Sequence, residues 1–277
     1  MLLGSVTDLT PAHAGSQVIV GSHGGKATGY YALACGVASL ICHDAGIGLD
    51  NAGVRTLEIF DRVGLPAAAV GHGSARIGDP EDMLTRGLIS RANTCARALE
   101  VQPGLPVAVV HETFQRLGSS IASNSKSKLD NPFERHELLV RASNDNSFEI
   151  RIVLADSASL LNKSDDGRIV VTGSHGGLPG NASRRAAKAQ PLFAVYNDAG
   201  IGIDNAGISR LAVLDSEGIS AACVTAASAR IGEAGSTYET GILSVVNNGA
   251  SQVGLEAGVS VREAVQMLVD HLARSSR

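Results

Sequence analysis

The chain has 277 residues, with 23 Lys and Arg against 27 Asp and Glu, a formal net charge of −4, and no Trp. That balance excludes the basic face of a nucleic-acid binder, and 3% aromatic residues leave few rings for stacking on single strands. Apolar residues reach 44%, enough for a sizeable core, while the longest apolar runs, such as 30–42, are interrupted by Gly and too short for a membrane span.

In chain order, the β-branched run at 18–20 reads as a strand ending in the turn Gly21-Ser22-His23-Gly24-Gly25. A strand at 39–42 leads into Asp44-Ala45-Gly46-Ile47-Gly48 and, one residue later, Asp50-Asn51-Ala52-Gly53. Helical apolar spacing at 54–63, stopped by Gly64, is followed by a strand at 67–70, the motif Ser74-Ala75-Arg76-Ile77-Gly78, and a helix over 81–99. The polar stretch 115–167 holds two strand-like segments, 136–141 and 148–154, joined by 143–147. They predict an edge hairpin in a long linker, with a lid over a site as the sharper alternative.

The same order then recurs. Strands at 169–171, 192–196 and 221–224 precede Gly173-Ser174-His175-Gly176-Gly177, Asp198-Ala199-Gly200-Ile201-Gly202 and Ser228-Ala229-Arg230-Ile231-Gly232, with helices at 208–217 and 241–255. His23 and His175 are 152 positions apart, and both Asp44 and Asp198 and Ser74 and Ser228 are 154 apart. Three motifs in constant order and spacing read as a tandem duplication, with units at 17–111 and 168–272 separated by the segment 112–167. Strands alternating with helices predict an α/β fold, the βαβαβα units forming a doubly wound, mostly parallel sheet of order 3-2-1-4-5-6 with pseudo-twofold symmetry. All three motifs then fall at strand carboxyl ends, where such sheets bind ligands.

The copies differ in their apolar segments yet agree at these polar and glycine positions, which points to a site. His23 and His175 are the acid/base candidates, with Asp44 or Asp198 as partner. The Gly24-Gly25 and Gly176-Gly177 amides, beside Ser22 and Ser174, are candidate donors to an oxyanion, and His-Gly-Gly resembles the oxyanion loop of esterases over three residues. Gly46, Gly48, Gly200 and Gly202 line the expected crevice, and Arg76 and Arg230 suit bidentate carboxylate binding, with ion pairs to Asp79, Glu233 or the second-motif aspartates as the structural alternative. Ser74 and Ser228 are nucleophile candidates, although the flanking residues break the elbow pattern and capping explains them equally well. Asp50 and Asp204 read as helix caps.

The glycine spacing does not fit a dinucleotide loop. Asp-Ala-Gly-Ile-Gly resembles the glycine loop of amino-acid racemases, but Cys95 and Cys223 do not occupy equivalent positions as a thiol pair would. No organic cofactor is expected; His23, His43, Asp44 and His72 are the one candidate divalent-metal cluster. Residues 181–188 form a basic run that is either a solvated face or an attractor for an anionic substrate. The four cysteines form no CxxC pair and the N-terminus lacks a secretory signature, so a cytoplasmic location is expected.

The expected function is that of a small-molecule enzyme, a hydrolase of a small carboxylated metabolite. The alternatives are a racemase, isomerase or lyase moving a proton beside a carboxylate, and a non-catalytic binding protein for an anionic metabolite. The partner is a small anionic substrate rather than nucleic acid or membrane, and the apolar helices are compatible with a homo-oligomer.

Overall fold

Nearly unbroken apolar strands need cover on both faces, and the computed structural model, which describes residues 1–117, 132–179 and 188–276, provides it twice. The first sheet has the order β1 (Leu2–Leu3), β2 (Gln17–His23), β3 (Ser39–His43), β4 (Ala67–Val70), β5 (Ile89–Ala92). Its pairs are parallel except β4 with β5. Between and beyond these strands lie α1 (Lys26–Ala34), α2 (Arg55–Asp61), α3 (Pro80–Arg86), α4 (Thr94–Arg97) and α5 (Val107–Gln115).

The second sheet contains β6 (Arg135–Ala142), β7 (Asp145–Ala155), β8 (Ile169–His175), β9 (Phe193–Asn197), β10 (Ser220–Val224) and β11 (Leu243–Val246), neighbours in that sequence. The β6–β7 hairpin is antiparallel, β7 to β10 run parallel, and β11 is antiparallel to β10. The helices here are α6 (Arg210–Ser216), α7 (Ala234–Thr240), α8 (Asn248–Gln252) and α9 (Val261–Ser275).

The fold is therefore α/β and mostly parallel, but it is built on two sheets rather than one continuous six-stranded sheet. The edges of β2 and β8 that would have met are already occupied, by β1 and by β7. Alternate residues of each sheet enter different cores. On the first, Val18, Val20, Leu40 and Cys42 pack with Leu57 and Phe60 on one face, while Ile19, Ile41 and Val70 meet Met83, Val107 and Phe114 on the other. On the second, Ile169, Val171 and Val195 pack under α9, and Val170, Ala194 and Tyr196 pack against Leu211 and Leu214.

Two expected helices are broken. Over 81–99, α3 stops at Gly87, β5 follows, and Asn93 restarts a short helix by accepting the Ala96 N–H at 2.8 Å. Over 241–255, the β-branched pair in Leu243–Val246 forms a strand and Asn247 caps α8 in the same way at 3.0 Å. Among the described residues no helix is long and apolar enough to cross a membrane.

Candidate functional site

The second and third motifs build the seam between the halves. Ala45, Gly46, Ile47 and Gly48 have φ of 48°, 72°, 64° and 69°, and Ala199 to Gly202 repeat this with 51°, 76°, 62° and 71°. A β-branched Ile in the left-handed region is costly, so the surrounding structure must enforce it. Enforcement comes from across the seam. A Cβ on Gly46 would stand 2.8 Å from the Gly200 Cα, Leu49 N–H donates to Ala226 O at 2.9 Å, and Ile203 N–H donates to His72 O at 2.8 Å. Ala45, Ala52 and Ile77 form a small shared core with Ala199, Ala206 and Ile231.

The aspartates at the strand tips hold these loops. Asp44 Oδ1 accepts the N–H groups of Gly46 (3.0 Å) and His72 (2.9 Å) and pairs with His72 Nδ1 at 3.0 Å. Asp198 Oδ1 accepts the N–H groups of Gly200 (2.9 Å) and Ala226 (2.8 Å). Burial opposes ionisation of Asp44, but the His72 hydrogen bond and the nearby imidazoles keep its carboxyl below the ordinary value; the same bond raises His72. Neither aspartate hydrogen-bonds His23 or His175, whose Nδ1 atoms are taken by their own loops.

Asp50 and Asp204 are not caps. Each sits in the left-handed region and reaches over the seam, Asp50 to Arg230 at 3.2 Å and Asp204 to Arg86 at 2.6 Å. Arg76 is paired with Asp79 and Asp82, and Arg230 also with Glu233, so both guanidinium groups realise the ion-pair alternative and neither lines the cavity described below. Ser74 Oγ donates to Gly71 O and accepts Leu88 N–H, and Ser228 Oγ donates to Thr225 O and accepts Ile242 N–H. Both hydroxyls tie a turn to the antiparallel strand segment and are not presented as nucleophiles.

The first motif does open onto space. A cavity of about 740 Å³ lies between the halves, with Ser22, His23, Ser174 and His175 on its wall. The imidazole rings of His23 and His175, at the ends of β2 and β8, meet edge to face with centroids 6.4 Å apart. Gly25 N–H donates to His23 Nδ1 and Gly177 N–H to His175 Nδ1, each at 3.1 Å, which fixes both rings as Nε2–H tautomers. Burial, with His43 nearby, drives His23 down to about 4; burial, Arg210 and the other imidazoles drive His175 down as well, so both are neutral hydrogen-bond donors at pH 7. Ser22 and Ser174 each accept a backbone N–H, from Val6 at 2.9 Å and Ala158 at 2.8 Å, and retain a hydroxyl proton to donate.

The expected oxyanion donors are spent. Gly24 and Gly176 N–H donate to His43 O and Asn197 O, both at 2.8 Å, and the Gly25 and Gly177 amides serve the histidines. The candidate metal cluster does not converge either. His43 donates from Nε2 to Ala75 O and accepts Ala45 N–H at Nδ1, while His72 and Asp44 are paired to each other; among the described residues no group of three His, Cys, Asp or Glu could hold a metal ion. Of the basic run 181–188, only Lys188 lies within the described residues; it lines the cavity and donates to Ser159 O at 2.9 Å.

Sequence reasoning missed much of the wall: Ser5, Thr7 and Asp8, their counterparts Ser157, Ser159 and Leu160, and Thr28, Tyr31, Asp156, Tyr196 and Arg210. A signal was present. Ser5-x-Thr7 and Ser157-x-Ser159 keep the 152-residue spacing of the histidines. Comparison with models of protein families, with curated proteins and with solved structures gave no match to this chain.

Proposed function

We propose that the protein is a small-molecule enzyme that binds a small carboxylated anion in the cavity between its halves and hydrolyses it. The observation that carries this reading is the pair of neutral Nε2–H imidazoles, His23 and His175, that meet edge to face on the wall of the cavity. Water attack on an acyl carbon puts negative charge on the carbonyl oxygen, and donors already fixed in place stabilise that charge without reorganising. Asp156 is the candidate general base on the same wall: burial raises its carboxyl towards the range useful at neutral pH, against the N–H groups of Ala234 and Glu134.

The same donors stabilise an enolate equally well. Their placement on opposite halves favours, as a second reading, proton transfer beside a carboxylate. The test is a screen of small carboxylated esters, amides and lactones with the full chain, together with deuterium exchange of 2-substituted carboxylates followed by NMR. With a confirmed substrate, His23→Gln and His175→Gln should each lower kcat by about 10²-fold while the circular dichroism stays unchanged. Undiminished turnover in both variants would remove the histidines from the chemistry. Saturable binding without turnover of any substrate would make the protein a binder.

A further inference from the structure

The cavity wall is matched between halves at Ser5 and Ser157, at Ser22 and Ser174 and at His23 and His175, and mismatched at other positions. At the 154-residue spacing of Asp44 and Asp198, Cys42 corresponds to Tyr196 and Thr56 to Arg210; at the 152-residue spacing of the histidines, Asp8 corresponds to Leu160. Thr56 and Arg210 do one job in common, since Thr56 Oγ1 donates to Gly25 O at 2.9 Å and Arg210 donates to Gly177 O at 2.9 Å. Of the two, only Arg210 lines the cavity and carries a charge. Its Cζ lies 5.0 Å from the ring centroid of Tyr196, which is fully buried, lines the same cavity, and has a hydroxyl that meets no acceptor among the described residues, the Arg210 guanidinium beside it being itself a donor. A buried phenolic O–H without an acceptor is costly, and such groups are normally satisfied.

We infer that Tyr196 and Arg210 form the carboxylate subsite of this cavity and fix which way round a ligand lies between the two histidines. A carboxylate accepts from a phenol and a guanidinium together, and the charged donor makes the stronger bond. Lys188 adds a second cation on the same half, and Asp156, the carboxylate on that side, is already partly compensated by two backbone N–H groups. On the other half Asp8 repels an anion, so the uncharged part of the ligand lies towards Thr28 and Tyr31 of that half. The inference rests on the cavity being the ligand site.

With four Tyr and no Trp, the full chain reports on ligand entry through tyrosine difference absorbance. Pyruvate and benzoate are the probes, inorganic phosphate is the competing anion, and affinities come from calorimetry. The expected result is saturable binding of a carboxylate, weakened about threefold in Tyr196→Phe with loss of most of the spectral change, weakened about tenfold in Arg210→Gln, and recovered in Arg210→Lys. Carboxylate binding that is unchanged in both Tyr196→Phe and Arg210→Gln overturns the subsite and leaves the cavity reading standing. No saturable binding of either carboxylate overturns both, and phosphate binding as tightly as the carboxylates overturns the carboxylate assignment. If Arg210→Gln fails to fold, Tyr196→Phe, which removes one oxygen, decides alone.

Discussion

The seam and the cavity use the same repeated motifs under different rules. At the seam the contacts are reciprocal: Gly46 meets its counterpart Gly200, and Leu49 reaches Ala226 just as their counterparts Ile203 and His72 meet. Contacts made in both directions constrain both copies at once, as in an isologous interface. In the cavity the halves face a space, and matching is retained at the histidines and serines but lost where Tyr196 and Arg210 line the wall and their sequence counterparts Cys42 and Thr56 do not. Identity between copies is therefore explained at the seam by packing alone. A departure from identity on the cavity wall carries more information about a ligand than the identities do.

The comparison breaks most visibly at Gly53 and Gly207. A Cβ at Gly53 would lie 2.1 Å from Asp44 O, and one at Gly207 would lie 2.0 Å from Asp198 O. Backbone cannot yield by that amount without dismantling the left-handed loop. Gly53→Ala and Gly207→Ala should each cost about 3 kcal/mol or more in denaturant unfolding, and by similar amounts. A tolerated alanine at one site only would mean that the two left-handed loops are not packed alike.

Acid should act on the cavity before the seam. The native state keeps His23 neutral down to about 4, whereas an unfolded histidine takes up its proton near 6.5. Between those values the unfolded chain binds more protons, so the contribution of His23 to stability is intact above about 6.5 and falls as pH drops towards 4. His175 acts in the same direction. Going from pH 7 to pH 4, His23→Gln should lose about 3 kcal/mol less than the unmodified chain, measured by urea unfolding at each pH. Parallel pH profiles would show that His23 is protonated in the native state, contrary to its place as a neutral donor.

Strand positions were legible in the sequence because buried parallel strands show as short β-branched runs, such as 18–20 and 169–171, ended by glycine. The helix-to-strand change at Gly87 was not, since Ile89 to Ala92 has no alternation that separates it from a helical segment. Sheet closure was hidden for a different reason: β1 is only two residues long, so nothing local announces that it occupies the edge of β2. His23 and His175 stood out as a repeated pair. Arg76 and Arg230 stood out in the same way, yet their charges are taken up by Asp79, Asp82, Glu233 and Asp50, partners that a motif cannot reveal. Tyr196 and Arg210 carry no such mark, because they lie where the repeated segments disagree.

The smallest expected effect concerns the charges that cross the seam. Arg86 to Asp204 and Arg230 to Asp50 are opposed in direction, but the side chains are 37% exposed on the arginines and 53% on the aspartates, so solvent and salt screen both pairs. Asp204→Asn and Asp50→Asn, which remove the seam pairs and leave Arg86 with Asp82 and Arg230 with Glu233, should each cost no more than about 1 kcal/mol, and raising the salt to molar strength should shrink that loss. The two changes should also add, because the pairs share no atom. A loss of several kcal/mol in either variant would make these surface charges, rather than the left-handed glycine loops and the Ala45, Ile77, Ala199 and Ile231 core beneath them, the element that joins the halves.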